Sequence, residues 1–106
     1  MLIFMQTKTG RYDAQAEFNA DTMETIVLKG SRVSSTVALQ EHFHSANAIK
    51  KKRAKYVNDC ILTENLAFKS LSSAACFVGG NSHNGLDDWK LEDGRKVREF
   101  LQGNDN

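Results

Sequence analysis

The stretch SLSSAACFVGGNSHNG, residues 70–85, carries the clearest secondary-structure signals in the C-terminal half of this chain. Ser70 is a strong N-cap candidate, because its hydroxyl can accept a hydrogen bond from a backbone N–H of the first helical turn. The alanine-rich segment that follows predicts a helix over Leu71–Val78. The Gly79-Gly80 pair predicts its end, since glycine adopts the left-handed C-terminal conformation without strain. The next residues predict a polar loop, in which Asn84-Gly85 favours a tight turn.

Upstream of this stretch, three short segments have the pattern of β-strands. Leu2–Gln6 is apolar, Tyr12–Phe18 alternates apolar with polar side chains, and Thr25–Leu28 is rich in β-branched residues. Proline is absent from the whole chain, so glycine and asparagine must form the turns between them. Short strands joined by such turns predict an antiparallel meander.

A long helix is predicted between the meander and residue 70. It takes its cap from one of Ser34, Ser35 and Thr36 and runs to about Asn58. Arg53 falls within its apolar stripe, so we expect the stem of Arg53 to pack while the guanidinium reaches an edge. At about 100° per residue the apolar side chains gather on one broad face, namely those of Leu39, Phe43, Ala46, Ile49, Tyr56, Val57 and Cys60.

Short elements complete the chain. Ile61–Thr63 and Leu66–Phe68 are strand candidates around a turn at 64–65, Asp88–Leu91 is another, and Val97–Leu101 has helical spacing. Together the elements predict an α+β fold, in which a small antiparallel β-sheet packs against one long and two short helices. The 106 residues show no repeat or linker and fit a single domain over 1–106.

Composition excludes several classes of protein. Hydrophobic residues make up 41% and charged residues 25% of the chain, an ordinary globular mixture. No apolar run has the length of a membrane span or of a signal peptide, so we expect a cytoplasmic protein with no membrane partner. The spacing of Cys60 and Cys76 matches neither a zinc knuckle nor a CxxC redox pair. We therefore expect buried free thiols, no metal and no cofactor.

Positive charge concentrates in the predicted long helix, where Lys50, Lys51, Lys52, Arg53 and Lys55 place five cations in six positions. Such a cluster attracts polyanions, because each phosphate that it neutralises releases counterions. Lys51, Lys52 and Lys55 fall opposite the apolar face. The alternative interpretation is a solvated helix face, which charge runs commonly form.

The loop after the alanine-rich helix is the second candidate for binding. Asn81, Ser82 and Asn84 offer amide and hydroxyl groups beside glycines, whose backbone N–H groups can converge on an anion. Asparagine can also pair bidentately with adenine, which suits a sensor of adenine modification. The alternative is a helix C-cap followed by a tight turn, with no ligand.

Two patterns near the C-terminus favour structural interpretations. Trp89 is the only tryptophan; it could stack on a base, but a lone tryptophan beside a helix is more often part of the core. Asp88-Trp89-Lys90 has the acid-x-Lys form of metal-dependent nucleases, with Asp59 or Glu64 as the preceding acid. A match of three residues favours a surface strand over a nuclease site.

Several of these segments, taken together, match a known pattern. The block Ser70–Val78, followed by Gly80–Gly85, Trp89-Lys90 and Asp93–Lys96, resembles the domain of unknown function 4357 family, which is related to RAMA (restriction enzyme adenine methylase associated) domains. The family pattern is a serine-capped, alanine-rich helix, a Gly-Arg-Ser-x-Asn-Gly loop, a Trp-Lys step and an Asp-Gly-Lys turn. Ile26–Ser31 resembles the family's strand ending in Leu-Lys-Gly-Ser. The likeness covers most of residues 7–101.

The resemblance implies an accessory role. Members of this family commonly sit C-terminal to GIY-YIG nuclease domains or near restriction–modification components, and RAMA domains are associated with the recognition of DNA. This chain departs from the pattern at Leu71, where proline is usual, at Asn81, where arginine is usual, and at Leu86, where an aromatic residue is common. The departure at Asn81 removes a cation that would meet phosphate.

The sequence therefore predicts a non-catalytic nucleic-acid-binding accessory module associated with DNA restriction, modification or repair enzymes. DNA is the expected ligand, and a nuclease or methyltransferase subunit is the expected protein partner. One alternative is a protein–protein adaptor, whose mark would be a contiguous exposed apolar patch. The other is a minimal metal-dependent nuclease. The residues proposed to bind are Lys50, Lys51, Lys52, Arg53 and Lys55 for phosphate, and Asn81, Ser82 and Asn84 for closer contact.

Overall fold

The second strand shows how the sequence builds the sheet. The computed structural model describes residues 1–37 and 46–103. Within Asp13–Phe18 the three apolar side chains are buried, while the three polar side chains between them are exposed. This period of two is expected of a strand that has one face on the core and the other in water.

The strands of the described residues are β1 (Leu2–Gln6), β2 (Asp13–Phe18), β3 (Thr25–Val27), β4 (Val57–Asn58), β5 (Ile61–Leu62) and β6 (Leu66–Phe68). Four of them form the main sheet. Its order is β1-β2-β3-β6, and each neighbouring pair is antiparallel, so the predicted meander of the first three strands is confirmed. β4 and β5 form a separate two-stranded antiparallel ribbon.

The two strand candidates around residues 64–65 do not pair with each other. β5 pairs with β4, and β6 pairs with β3, so the turn carries the chain from the ribbon to the main sheet. The ribbon itself turns at Asp59 and Cys60, whose φ angles are 52° and 66°. Positive φ at both central residues is the geometry of a primed hairpin turn, which Asn-Gly and Asp-Gly favour. Asp-Cys lacks that glycine, and the sequence pattern therefore did not reveal this hairpin.

Four helices occur among the described residues: α1 (Ala46–Tyr56), α2 (Leu71–Gly79), α3 (Gly85–Asp88) and α4 (Val97–Leu101). The predicted long helix is confirmed over α1. Its proposed apolar residues Leu39 and Phe43 lie outside the described residues, and Val57 belongs to β4 instead of extending the helix. No helix in the described ranges is long and apolar enough to cross a membrane.

The expected caps of α2 are confirmed. The Ser70 hydroxyl oxygen accepts a hydrogen bond from the Ser73 backbone N–H at 3.1 Å. Gly80 closes the helix with φ of 79°, and its N–H donates to the Cys76 carbonyl at 2.8 Å. Ser34, proposed as a cap of the long helix, is instead buried, and its hydroxyl donates to the Gly79 carbonyl at 2.8 Å.

Two predictions for the segment after α2 were wrong. Asn84 and Gly85 do not form a tight turn; the Asn84 side chain caps α3 by accepting from the Leu86 N–H at 3.1 Å. Asp88 ends α3 and does not begin a strand. Only Lys90 keeps strand-like pairing, in isolated bridges to β1 and to Lys96. Asparagine serves equally in turns and helix caps, so the local sequence did not distinguish the two.

Trp89 lies at the centre of the core, as predicted. Its side chain is fully buried, and its indole N–H donates to the Leu71 carbonyl at 3.0 Å. On the other face of α2, the Phe77 ring packs at 5.2 Å, centroid to centroid, against the Phe68 ring of β6. The helix is therefore held between the sheet and the segment that carries Trp89.

Replacing Trp89 with alanine should lower the free energy of unfolding by about 3–5 kcal/mol, because a large buried ring is lost and a cavity is left. Trp89→Phe is the matched control, since it keeps most of the packing and loses the indole hydrogen bond, at a cost of about 1–2 kcal/mol. Urea denaturation followed by circular dichroism measures both. A wild-type emission spectrum typical of water-exposed tryptophan would contradict this arrangement.

Candidate nucleic-acid interface

Helical geometry distributes the five cations of α1 over different faces. At about 100° per residue, Lys51, Lys52 and Lys55 fall within a sector about 100° wide. We call these three residues the lysine stripe. Lys50 lies on the opposite flank of the helix, and Arg53 points towards the core. All four lysines are exposed, whereas Arg53 is partly buried.

No carboxylate neutralises the lysine stripe among the described residues, where the salt bridges involve other cations. α1 itself contains no acidic residue. The Lys52 ammonium lies 5.3 Å from the centroid of the Phe68 ring, and that of Lys55 lies 5.2 Å from the Tyr56 ring. Such contacts contribute only about 0.5–1 kcal/mol at exposed sites, so the ammonium groups can still exchange them for an anion.

Backbone carbonyls of two other segments bind the Arg53 guanidinium. Its Nη2 donates to the Phe77 carbonyl at 2.7 Å and to the Val78 carbonyl at 3.1 Å, and Nη1 donates to the Ser34 carbonyl at 2.7 Å. The guanidinium carbon also lies 5.8 Å from the centroid of the Phe77 ring. Burial lowers the pKa of Arg53. The guanidinium therefore joins α1, the end of α2 and the segment before residue 37.

This arrangement separates Arg53 from the lysines in function. We expected the stem of Arg53 to pack and its guanidinium to reach an edge. The guanidinium instead donates its hydrogen bonds to carbonyls in the interior. It supplies donors to the C-terminus of α2, whose last turn has no basic residue of its own. Arg53 therefore leaves the set of cations that we expect to meet phosphate directly.

The three loop residues of the predicted site have different surroundings. Asn81 is partly buried, and its Oδ1 has no hydrogen-bond partner among the described residues. Ser82 is exposed. Asn84 uses its amide oxygen to cap α3, which leaves its amide NH₂ as the group that a ligand can contact.

Gly85 brings this loop back to the first turn of α2. Its N–H donates to the Ser72 hydroxyl oxygen at 3.0 Å, and a Cβ atom at Gly85 would overlap the backbone of Leu71 and Ser72. Ser72 also lines a groove between α1 and α2, which Lys52 of the lysine stripe lines from the other side. Lys52 of the lysine stripe therefore lines this groove, and the C-terminal end of the loop is hydrogen-bonded to Ser72 on the opposite wall.

A histidine–aspartate pair that the sequence did not reveal stabilises the loop. His83 Nδ1 lies 2.7 Å from Asp88 Oδ2, and the Tyr12 ring packs edge-on against the imidazole at 6.0 Å between centroids. Burial, and then the negative charge of Asp88, raises the pKa of Tyr12. Gly79 permits the close approach, since a Cβ atom there would overlap the imidazole ring. The pairing depends on α3, which the sequence pattern did not predict.

The acidic residues proposed for the acid-x-Lys pattern do not come together as ligands for a metal ion. The Asp88 carboxylate is paired with His83, Asp59 is in the turn of the β4–β5 ribbon, and Glu64 follows β5. Within residues 1–37 and 46–103, no group of three or more His, Cys, Asp or Glu side chains could hold a metal ion.

The fold and these contacts define a small α+β domain with an exposed cationic helix face beside a groove. The family model described as "Domain of unknown function (DUF4357)" matches residues 4–101, and the chain belongs to this family. Curated proteins and solved structures give no match to the chain. The resemblance noted from the motifs is thus confirmed for the family itself.

Replacing Arg53 with methionine should lower the free energy of unfolding by about 3 kcal/mol, because the Phe77 and Ser34 carbonyls lose their donors at about 1–3 kcal/mol each. The Val78 carbonyl keeps the Ser34 N–H as its donor. Arg53→Lys is the matched control. It keeps the charge but not the planar fork, and we expect an intermediate loss. The effect is measured from the midpoints of urea denaturation, compared between proteins whose free energy of unfolding has the same slope against urea concentration. A methionine variant as stable as the wild type would show that the guanidinium does not join these segments.

Proposed function

We propose that this chain is a non-catalytic nucleic-acid-binding accessory module. The observation that supports this most directly is the position of Lys52 of the lysine stripe. It lines a groove whose opposite wall carries Ser72, the residue that binds the Gly85 N–H at the end of the loop. Among the described residues, no acidic side chain lines that groove. A cationic surface that is not neutralised by carboxylates is the feature expected of a phosphate-binding face.

The chemistry of the stripe favours phosphate over base edges. Lysine is a flexible point charge that neutralises phosphate without fixing the orientation of a base. The stripe would therefore supply affinity, and the amide NH₂ of Asn84 would supply closer contact. Lys50 lies on the other flank of α1 and would contribute through long-range attraction alone.

The proposed setting follows from the family. The resemblance to modules beside GIY-YIG nucleases and to RAMA domains supports DNA as the ligand. It also supports a nuclease or methyltransferase subunit as the neighbouring enzyme, in the cytoplasm. We therefore propose that the chain works beside DNA restriction, modification or repair enzymes and delivers them to nucleic acid.

A protein–protein adaptor is the second candidate, and a specific observation favours it. Met1, Leu2 and Leu101 are exposed large apolar residues. Met1 also lines a surface depression of about 540 Å³ together with Phe18, Ile26 and Phe100. A partner that docks there would not need the lysine stripe, which makes the two functions separable by mutation.

Changing Lys51, Lys52 and Lys55 to glutamate should abolish DNA binding while the helix stays folded, because all three side chains are exposed. Wild-type affinity should fall with salt with a log–log slope of about −3 on duplex DNA, from three phosphate contacts. Fluorescence anisotropy between 25 and 200 mM salt, as a rough range, measures both quantities. The matched control is the triple variant Lys8→Glu, Lys29→Glu and Lys90→Glu, which makes the same change in net charge outside α1.

The two triple variants distinguish the loss of local contacts at the lysine stripe from the effect of a lower net charge on DNA binding. Equal losses in both would mean that the stripe forms no specific face. No binding of the folded wild-type protein to DNA or RNA at low salt would refute the proposed function. If the wild type binds no DNA, and the variant with glutamate at Lys51, Lys52 and Lys55 still binds a protein partner, the adaptor function is favoured.

Asn84 can be tested for closer contact without disturbing the cap of α3. Asn84→Ser keeps a side-chain oxygen for the Leu86 N–H, whereas Asn84→Ala removes it and should cost about 1 kcal/mol of stability. Both variants lose the amide NH₂. If the amide reads a base, both should lose the wild-type preference among DNA sequences or adenine modification states to the same extent. A serine variant that retains the wild-type preference would exclude a reading role for Asn84.

A further inference from the structure

A groove of about 550 Å³ lies between α1 and α2 with β6 as its floor. Its apolar surface comes from Ala48 and Ile49 on one side, Ala67 and Phe68 below, and Cys76 on the other side. Ala48 and Ala67 are exposed, and Phe68 is buried with 8% of the residue exposed. A volume of this size lies within the range of about 300–1,000 Å³ that is typical of sites for small organic groups.

The polar side chains that line this groove are donors. Lys52 stands on the α1 side, and Lys69, which precedes the cap of α2, stands on the other; both ammonium groups only donate. The hydroxyl oxygens of Ser72 and Ser73 already accept from the Gly85 N–H at 3.0 Å and from the Ser70 hydroxyl at 2.9 Å. Neither serine donates to another described group, so the two hydroxyl hydrogens can serve a ligand.

From this combination we propose that the groove takes an unstacked nucleobase of a single-stranded nucleic acid, with Lys52 and Lys69 on the flanking phosphates. The inference rests on the proposed function and adds that the nucleic acid is single-stranded. A base has two flat apolar faces for the groove floor and carbonyl or ring-nitrogen acceptors for the serine hydroxyls. Its flanking phosphates supply the anions that two lysines on opposite sides require.

A single strand fits this groove better than the two other anionic partners. In a duplex the base faces are stacked and cannot reach the apolar floor, so only the lysine stripe would be used. An acidic peptide would bring carboxylates for the lysines, but its acidic side chains have no flat apolar face for the groove floor of Ala67 and Phe68.

Lys52 connects the groove to the lysine stripe. Its ammonium now lies 5.3 Å from the centroid of the Phe68 ring, which it partly covers. A phosphate beside the groove would draw the ammonium outwards, and the flexible stem would then uncover the ring for a base. From Lys52, the strand can continue along the exposed ammonium groups of Lys55 and Lys51.

The test narrows the groove without changing its charge. Ala48→Gln places a neutral side chain at the mouth of the groove, and Ala54→Gln makes the same change on α1 away from it. Both alanines are exposed, so neither change disturbs the core. Anisotropy with a thymidine oligonucleotide and with a duplex of equal length measures each variant. We expect about tenfold weaker single-strand binding for Ala48→Gln alone, the effect of one lost base contact, and unchanged duplex binding.

Alkylation of the native cysteines gives a second measurement. Cys76 lines the groove, whereas Cys60 lies in the β4–β5 turn and does not. The thymidine oligonucleotide should slow the reaction of Cys76 with a maleimide and leave Cys60 unchanged in the same molecule. Polyglutamate serves as the peptide probe and should protect neither thiol.

The outcomes distinguish the groove from the wider proposal. If Ala48→Gln leaves the binding of both nucleic acids unchanged, or weakens both equally, the groove assignment is overturned. The proposed role of the lysine stripe is not affected by that result. Protection of Cys76 by polyglutamate and not by the oligonucleotide would overturn it in favour of an acidic peptide. Absence of wild-type binding to either nucleic acid would overturn the proposed function, and the groove assignment with it.

Discussion

The Arg53 guanidinium fixes the position of the proposed binding surface through its hydrogen bonds to backbone carbonyls. The last turn of α2 leaves the carbonyls of Phe77 and Val78 without partners inside the helix, and an unsatisfied buried carbonyl costs about 1–3 kcal/mol. Arg53 donates to both from a different helix and binds the Ser34 carbonyl at the same time, while the Ser34 N–H also donates to the Val78 carbonyl at 2.8 Å. Rotating or sliding α1 against α2 would break these bonds together, so the guanidinium sets the width of the groove between the two helices.

The period of the helix then determines where the other cations lie. With Arg53 directed inwards, Lys52 must lie at the groove, and Lys51 and Lys55 must continue from it onto the solvent face. Lys50 is turned to the opposite flank by the same geometry. A run of five cations is therefore not a uniform basic patch. It consists of one structural arginine, a stripe of three lysines beside a groove, and one lysine on the far side.

Close backbone approaches hold the segment between α2 and α3 in place. The imidazole of His83 packs where only glycine fits at position 79, and Gly85 lies against the start of α2. The indole N–H of Trp89 is bound to the Leu71 carbonyl at 3.0 Å, which ties the residue after α3 to the same turn. The Asn84 amide is thus presented from a rigid base, and little conformational entropy would be lost when it contacts a ligand.

The features that depend on neighbours within a few positions could be predicted from the amino-acid sequence. These are the alternation of β2, the Ser70 and Gly80 ends of α2, the presence of a cationic helix, and the buried character of Trp89. Tertiary packing, in contrast, brings β6 beside β3, His83 against Asp88 and Tyr12, and Arg53 to carbonyls 24 and 25 residues away. Those contacts join residues whose separation is set by how whole elements pack, and no local propensity encodes that distance. The groove likewise could not be predicted from local sequence, because its walls come from two helices and its floor from a strand paired elsewhere in the sheet.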